Sequence, residues 1–224
     1  NWSFQGEPEP KLNNRILQHD RGKTLGGSSS INGMVYIRGH ALGFDSWQEM
    51  GCEGWSYNDV LPYFIKMENY AGGDDNVRGV NGPVNVRRPI PSDVISRAFL
   101  RAGEESGYLM TNDINGDLQE GFGVFDSTIH KGKRWSTARA YLDSVKTNAN
   151  LTILTETLVE DIKIINKKAT GVNVKDKNGK IGFISAEKEV ILSAGAVGTP
   201  HIMMLSGLGP KEHLQDNGIS VIND

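Results

Sequence analysis

The sequence predicts a mixed α/β fold, and three observations carry that prediction. Apolar residues recur at three and four spacing in segments 57–69 and 92–107, the period of a helix with one buried face. From residue 151 onward, short β-branched runs follow one another in quick succession, as in closely connected strands. Glycine is the compositional outlier, with 27 of 224 residues where average usage near 7% gives about 16. Helices and strands do not alternate strictly, and neither an internal repeat nor a low-complexity segment is visible.

Taken in order, residues 1–20 are polar and punctuated by Pro8 and Pro10, which predicts an extended surface segment. A glycine- and serine-rich stretch spans 22–33. Ser56 is placed to cap a helix over 57–69 that carries Val60, Leu61, Phe64 and Ile65 on one side, with Pro62 disturbing its first turns. Residues 71–91 read as irregular connections around a short strand at 84–86. Ser92 caps a second helix with Val94, Ile95, Ala98, Phe99 and Ala102 in register, and Gly107 ends it. A third helix is expected over 136–145. Strands are expected at 151–155, 158–165, 170–174, 181–185 and 190–193, with Asn178-Gly179 as a hairpin turn. A helix over 199–205 follows, and Pro210 opens another containing Leu214.

Composition narrows the function. The chain is 38% hydrophobic and 23% charged with a net charge of −3, ordinary values for a soluble globular protein. No basic stripe interleaved with aromatics points to nucleic acid, and the Arg87-Arg88 doublet reads as a solvated strand end. No run of 18 apolar residues predicts an integral membrane helix. The single cysteine, Cys52, reads as small buried filler; it fits a reducing, cytoplasmic compartment, with peripheral membrane association left open. His19, His40, His130, His201 and His213 lack metal-ligand spacing, so no metal is expected and none of the five is assigned catalysis. Trp2, Trp47, Trp55 and Trp135 read as packing anchors, and Glu104-Glu105 and Asp74-Asp75 as solvated pairs. Both ends read as cut, since the chain opens on Asn1-Trp2 and stops at Asn223-Asp224 after an apolar run.

One segment carries chemistry: Arg21-Gly22-Lys23-Thr24-Leu25-Gly26-Gly27-Ser28-Ser29-Ser30-Ile31-Asn32-Gly33. Gly22-Lys23-Thr24 imitates the end of a phosphate-binding P-loop, but that motif needs a glycine where Leu17 stands and an apolar strand where Asn13-Asn14-Arg15 stands. Paired glycines can instead let a backbone lie close against a flat or charged ligand, with serine hydroxyls and free amides meeting a pyrophosphate. A helix starting near Ser29 would add its dipole. From spacing alone, that site and a solubilising glycine-serine linker fit equally.

Residues 22–45, GKTLGGSSSINGMVYIRGHALGFD, are similar to the first signature of the glucose-methanol-choline (GMC) flavoenzymes. Gly195-Ala196-Val197-Gly198-Thr199-Pro200, followed by Leu205-Ser206-Gly207-Leu208-Gly209, resembles the second. Residues 113–123 (DINGDLQEGFG) and Ser136-Thr137-Ala138-Arg139 resemble the choline dehydrogenase-like branch, so the likeness covers essentially the whole chain. It implies a partial FAD-binding fold of α/β type with part of a substrate domain: 1–48 a flavin-binding segment, 49–135 a substrate-side cap region, and 136–224 a continuation of the flavin-binding domain.

The resemblance also implies roles. Gly26, Gly27 and Ser28, with Thr24 beside them, match contacts to the FAD pyrophosphate, and Asn32, Gly33, Met34 and Val35 match the next set near the flavin ring. Val159 matches a backbone contact to the adenine, and Ala194 and Gly195 the nucleotide-side turn. Core packing is the competing reading for Val159, Met34 and Val35. Ile31 stands where some members carry a histidine that bonds FAD covalently, which predicts noncovalent flavin. The family's opening GxGxxG turn and its C-terminal catalytic histidine do not occur, so no catalytic residue is assigned. The implied activity of the intact parent is hydride transfer from the carbon of an alcohol, choline being the best single guess, to flavin N5, with oxygen or a quinone as electron acceptor. A non-redox lyase on the same fold and a catalytically silent binding module are the competing readings.

Overall fold

The computed structural model describes all residues except 71 and 73–75, so Asp74 and Asp75 lie outside the described residues. The chain forms two compact units, Asn1–Leu151 and Thr152–Asp224.

The first unit opens with an antiparallel hairpin, β1 (Phe4–Glu9) and β2 (Arg15–His19), so the polar N-terminal segment is extended as predicted but paired with itself. Its turn is possible because Asn13 and Asn14 take left-handed φ of 56° and 57°, which asparagine tolerates better than most residues. After the glycine-rich loop come β3 (Val35–Tyr36), α1 (Ala41–Glu49) and α2 (Tyr57–Met67). The Ser56 hydroxyl accepts from the Asp59 amide while the Asp59 carboxylate accepts from the Ser56 amide, a full capping box that explains why this helix starts where it does. α2 runs directly into β4 (Glu68–Asn69), which pairs in parallel with β5 (Val84–Asn85). The intervening chain passes so close that a Cβ on Gly82 would lie 2.2 Å from the Met67 carbonyl carbon. α3 (Val94–Glu105) is capped by Asp93, one residue later than expected: the Asp93 carboxylate accepts from the Ser96 amide at 2.7 Å. β6 (Asp126–Ser127) pairs with β3, and β7 (Ile129–His130) with β8 (Lys133–Arg134). The expected third helix is a short π-helical turn, Ala138–Leu142.

Tyr36, Tyr70, Val84, Val86 and Ala140 form the core of this unit, with Met67 and Trp135 packed against it. Of the four tryptophans only Trp135 anchors the core; Trp2, Trp47 and Trp55 are exposed. Cys52 is exposed rather than buried. The apolar stripe of α3 likewise turns Val94, Ile95 and Phe99 outward.

The second unit is an antiparallel meander in the order β11–β10–β9, from β9 (Thr157–Ile165), β10 (Lys168–Asp176) and β11 (Ile181–Ser185). The Asn178-Gly179 turn behaves as read: Gly179 has φ 81°, and the Asp176 carboxylate accepts from the amides of Asn178 (2.8 Å) and Lys180 (2.9 Å). α4 (Gly195–Leu205) packs on β9, and α5 (Lys211–Asp216) buries Leu214 completely. The Ser206 hydroxyl joins helix to sheet, donating to the Ile202 carbonyl at 2.6 Å and accepting from the Ile162 amide at 2.8 Å. The runs 151–155 and 190–193 form no strand. Their composition suits one, but a strand exists only in a hydrogen-bonded ladder, and neither has a partner among the described residues.

Candidate cofactor site

The loop from Gly22 to Val35 is built to hold its own shape. Gly22 and Gly27 approach so closely that a Cβ on Gly22 would sit 2.2 Å from the Gly27 carbonyl oxygen. Gly26 and Gly27 have φ of 84° and 53°, the left-handed region that glycine alone enters freely. The serine hydroxyls, expected to face a ligand, largely brace the loop. Ser29 donates to the Gly26 carbonyl at 2.5 Å, Ser30 donates to the Leu25 carbonyl at 2.8 Å, and Ser28 accepts from the Gly22 amide at 3.1 Å. No α-helix begins at Ser29; Gly27–Ser30 is a single 3-10 turn, so the expected helix dipole is absent and anion affinity rests on individual amides.

Those amides are available. Among the described residues, the N–H groups of Gly26, Ser28 and Gly33 donate to no other group. A Cβ built on Gly27 or Gly33 would meet nothing within 4 Å, so open space lies over both. A backbone with unengaged amides and open space beside two of its glycines fits the pyrophosphate and flat ring of a flavin dinucleotide.

Beyond the glycines the chain is strained and clamped. Met34 has φ 64°, left-handed for a side chain that disfavours it, a conformation costing about 1–3 kcal/mol that persists only where the surroundings fix it. Here the Asn32 side-chain oxygen accepts from the Met34 amide at 3.0 Å, and the Met34 carbonyl accepts from the Thr128 amide at 2.8 Å. From more than a hundred residues downstream, Arg134 Nη1 donates to the Asn32 carbonyl (2.6 Å), the Asn32 Oδ1 (2.9 Å) and the Ser29 carbonyl (3.3 Å). The Thr137 amide donates to the Ser29 hydroxyl at 2.9 Å. Thr24 contributes its carbonyl to the Gly27 amide, and Val35 pairs with Ser127.

A buried ionic network supports β3 from behind, and sequence reasoning missed it. Glu68, fully buried, accepts from Arg38 Nη2 (2.6 Å), Arg78 Nη2 (2.7 Å) and the Gly79 amide (2.9 Å). Arg78 also grips Asp113 (2.6 and 2.7 Å) and Asp126 (3.0 Å), and stacks 4.0 Å above the Tyr70 ring. Arg88 donates to Asp126 at 2.9 Å and Asp113 at 2.9 Å, so it is no solvated strand end; Arg87 is exposed as expected. Asn115 ties the network to β3, donating to the Tyr36 carbonyl (3.2 Å) and Asp126 (3.0 Å) while accepting from the Arg38 amide (2.8 Å). The stretch 113–123 thus owes part of its pattern to charge pairing. Among the described residues three arginines meet three carboxylates, so their charges balance. Burial alone would lower the Arg78 pKa, but hydrogen bonds and charge from Glu68, with Asp113 and Asp126, outweigh it and raise it above the ordinary arginine value. Burial works to raise the Asp113 carboxyl, yet the Asn115 amide and the charges of Arg78 and Arg88 leave it below the usual carboxylate value.

In the second unit, Ala194 precedes α4 without a side-chain cap, and Gly195 opens the helix at φ 83° with nothing within 4 Å of a Cβ. This 11-residue helix therefore begins without a side-chain cap and with open space beside Gly195, a setting that suits an anion. Val159 is half-buried in β9 opposite Val174, so its side chain packs while its backbone sits at a ladder irregularity. Two of the five histidines take structural places: His40 Nδ1 accepts from the Leu42 amide at the start of α1, and the His130 ring packs on Trp135.

Residues 6–220 match the family model described as GMC oxidoreductase, and the chain belongs to that family of oxidoreductases. It is 48% identical to an oxygen-dependent choline dehydrogenase of Sinorhizobium fredii over 99% of this chain and 40% of the relative. It is 46% identical to one of Brucella ovis over 100% of this chain and 40% of the relative. Among solved structures it resembles pyridoxine 4-oxidase from Mesorbium loti (TM-score 0.91, 30% identity, 100% of this chain and 44% of that one). An FAD-dependent oxidoreductase from Chaetomium thermophilum is similar to the same degree (TM-score 0.91, 34% identity, 100% and 41%). The chain thus spans about 40% of the length of the curated relatives it matches. Among the described residues no helix is long and apolar enough to cross a membrane.

Proposed function

We propose that this chain is the flavin-binding portion of an FAD-dependent enzyme that oxidises the CH–OH group of a small alcohol, with choline or a close analogue as substrate. The observation that supports it most directly is the preformed loop, where the Gly26, Ser28 and Gly33 amides donate to no other described group and open space lies beside Gly27 and Gly33. Thr24, Gly26, Gly27 and Ser28 would hold the pyrophosphate, and Asn32, Gly33, Met34 and Val35 would line the ring. Val159, Ala194 and Gly195 would serve the adenosine side, with the uncapped start of α4 favouring negative charge. When bound, FAD supplies the hydride acceptor for alcohol oxidation.

Ile31 offers no nucleophilic nitrogen, which supports noncovalent flavin. Residues 1–48 and 136–224 belong to the flavin-binding part, and 49–135 to the substrate side. The choline dehydrogenase relatives support the substrate and an oxygen-linked acceptor, with a quinone as the other candidate. The test is made on the full-length form carrying this segment. Denaturation should release unmodified FAD, and choline added without oxygen should bleach the flavin absorbance, which air then restores. Flavin that survives every alcohol unbleached would favour the lyase reading; no flavin uptake would end the proposal.

A further inference from the structure

The Asn32 side chain is exposed, yet its orientation is fixed. Its Oδ1 accepts from two directions, the Met34 amide at 3.0 Å and Arg134 Nη1 at 2.9 Å. With the oxygen so held, the Nδ2 must point the other way, and among the described residues its two hydrogens reach no acceptor. An amide usually flips at little cost because either end can accept or donate to water. Here a flip would set the NH2 group against a guanidinium and a backbone N–H, donor against donor, leaving the Met34 amide without its acceptor and Arg134 with only the Asn32 and Ser29 carbonyls. The same guanidinium nitrogen holds the Asn32 and Ser29 carbonyls, so Arg134 fixes the backbone and the amide together.

We infer that Arg134 is a positioning residue that locks the Asn32 carboxamide with its NH2 presented as a hydrogen-bond donor to an acceptor atom of the bound flavin ring. This rests on the flavin-binding reading above. A donor fixed before the ligand arrives costs no reorientation on binding. It also favours added negative charge on the ring, so it raises the flavin midpoint potential. Arg134 need not touch the flavin, since its effect passes through Asn32.

The test uses the full-length holoenzyme and a deflavinated sample retitrated with FAD. Asn32→Asp keeps the oxygen that Arg134 grips and removes the donor; Arg134→Met releases the amide; Arg134→Lys restores a single point charge. Each of the first two should weaken FAD binding at least tenfold, lower the midpoint potential and shift the flavin absorption bands, with Arg134→Lys between wild type and Arg134→Met. The deciding measurement is a double variant built on Asn32→Ala, which removes the donor without adding a charge: if Arg134 acts through the Asn32 carboxamide, adding Arg134→Met to Asn32→Ala leaves the potential where Asn32→Ala alone put it. Equal potential shifts from Arg134→Met in both backgrounds overturn the inference. So does an Arg134→Met protein that melts earlier but keeps the wild-type spectrum and potential. If Arg134→Met does not fold, the solvent-facing Asn32→Asp decides alone, and an unchanged potential overturns the inference. A wild-type protein that binds no FAD would instead remove the underlying functional reading.

Discussion

Replacing Glu68 by glutamine changes one oxygen to an NH2 group and leaves the volume nearly unchanged, so its effect isolates the charge at the centre of the ionic network. The Glu68 Oε1 side is gripped by Arg78 Nη2 at 2.7 Å, and the Oε2 side receives Arg38 Nη2 at 2.6 Å and the Gly79 amide at 2.9 Å. A glutamine can keep its oxygen towards Arg78, but its NH2 then faces three donors; Arg78 Nε, shared between the two oxygens at 3.1 and 3.0 Å, keeps Oε1, whereas Arg38 Nη2 and the Gly79 amide lose their acceptor. Two hydrogen bonds to a charged acceptor are lost, at about 1.5–3 kcal/mol each, so the expected cost is about 3–6 kcal/mol. Removing one member of a buried ion pair typically costs about 3–5 kcal/mol, an independent route to the same range. The cluster would also carry an uncompensated positive charge, so adding Arg38→Met should recover part of the loss instead of compounding it. Urea unfolding followed by tryptophan fluorescence measures both, with Glu105→Gln as a control, since its pair with Arg101 is exposed and worth no more than about 0.5 kcal/mol. A Glu68→Gln cost below about 1 kcal/mol would mean that the carboxylate does not hold the arginines as described.

The remaining predictions address other parts of the same unit. The Asp113 carboxyl has a folded pKa below its ordinary 3.8, so its contribution is complete above that value and is lost as pH falls through the lower folded one. Asp113→Asn should therefore flatten the acid limb of a stability-against-pH curve below about pH 4, and an unchanged limb would refute it. Among the described residues the buried Tyr36 hydroxyl makes no hydrogen bond of good geometry, only a weak interaction with the Arg38 side chain, so Tyr36→Phe should change stability by no more than about 1 kcal/mol in the same urea assay. Gly33 has no strained φ and open space beside it, so Gly33→Ala should leave the melting temperature within a degree or so of wild type while weakening FAD retitration. At Gly103 a Cβ would lie 2.4 Å from the Phe122 ring, and Gly103→Ala should cost about 1–3 kcal/mol through overpacking, again read by unfolding.

What the sequence discloses is what neighbouring residues decide. Ser56 and Asp59 are three residues apart and set the start of α2, and Asn178-Gly179 sets a hairpin whose strands need no distant partner. The glycine-serine loop is legible for the same reason, since its braces from Ser28, Ser29 and Ser30 reach no more than six residues. The runs 151–155 and 190–193 show the limit: β-branched composition supplies the preference for extended backbone, but not the neighbouring strand that makes it a ladder. Arg88 shows it more sharply. Nothing local to the Arg87-Arg88 doublet distinguishes the exposed member from the one that meets Asp126 thirty-eight positions later. Arg134 and Thr137 act on Ser29 and Asn32 across more than a hundred residues, and no local pattern announces such a brace.

The charge-balanced cluster also bears on how long the folded state lasts. Glu68 and Arg78 are only 10 residues apart, but the other ion pairs of the cluster span 25 to 48 residues, so the full set is complete only when most of the stretch from 38 to 126 has assembled. Interactions that form after the rate-limiting step leave the folding rate almost untouched and act on the rate of escape from the native state. Where the long-range pairs close late in folding, the gain these side chains bring is persistence: a protein expected to open seldom.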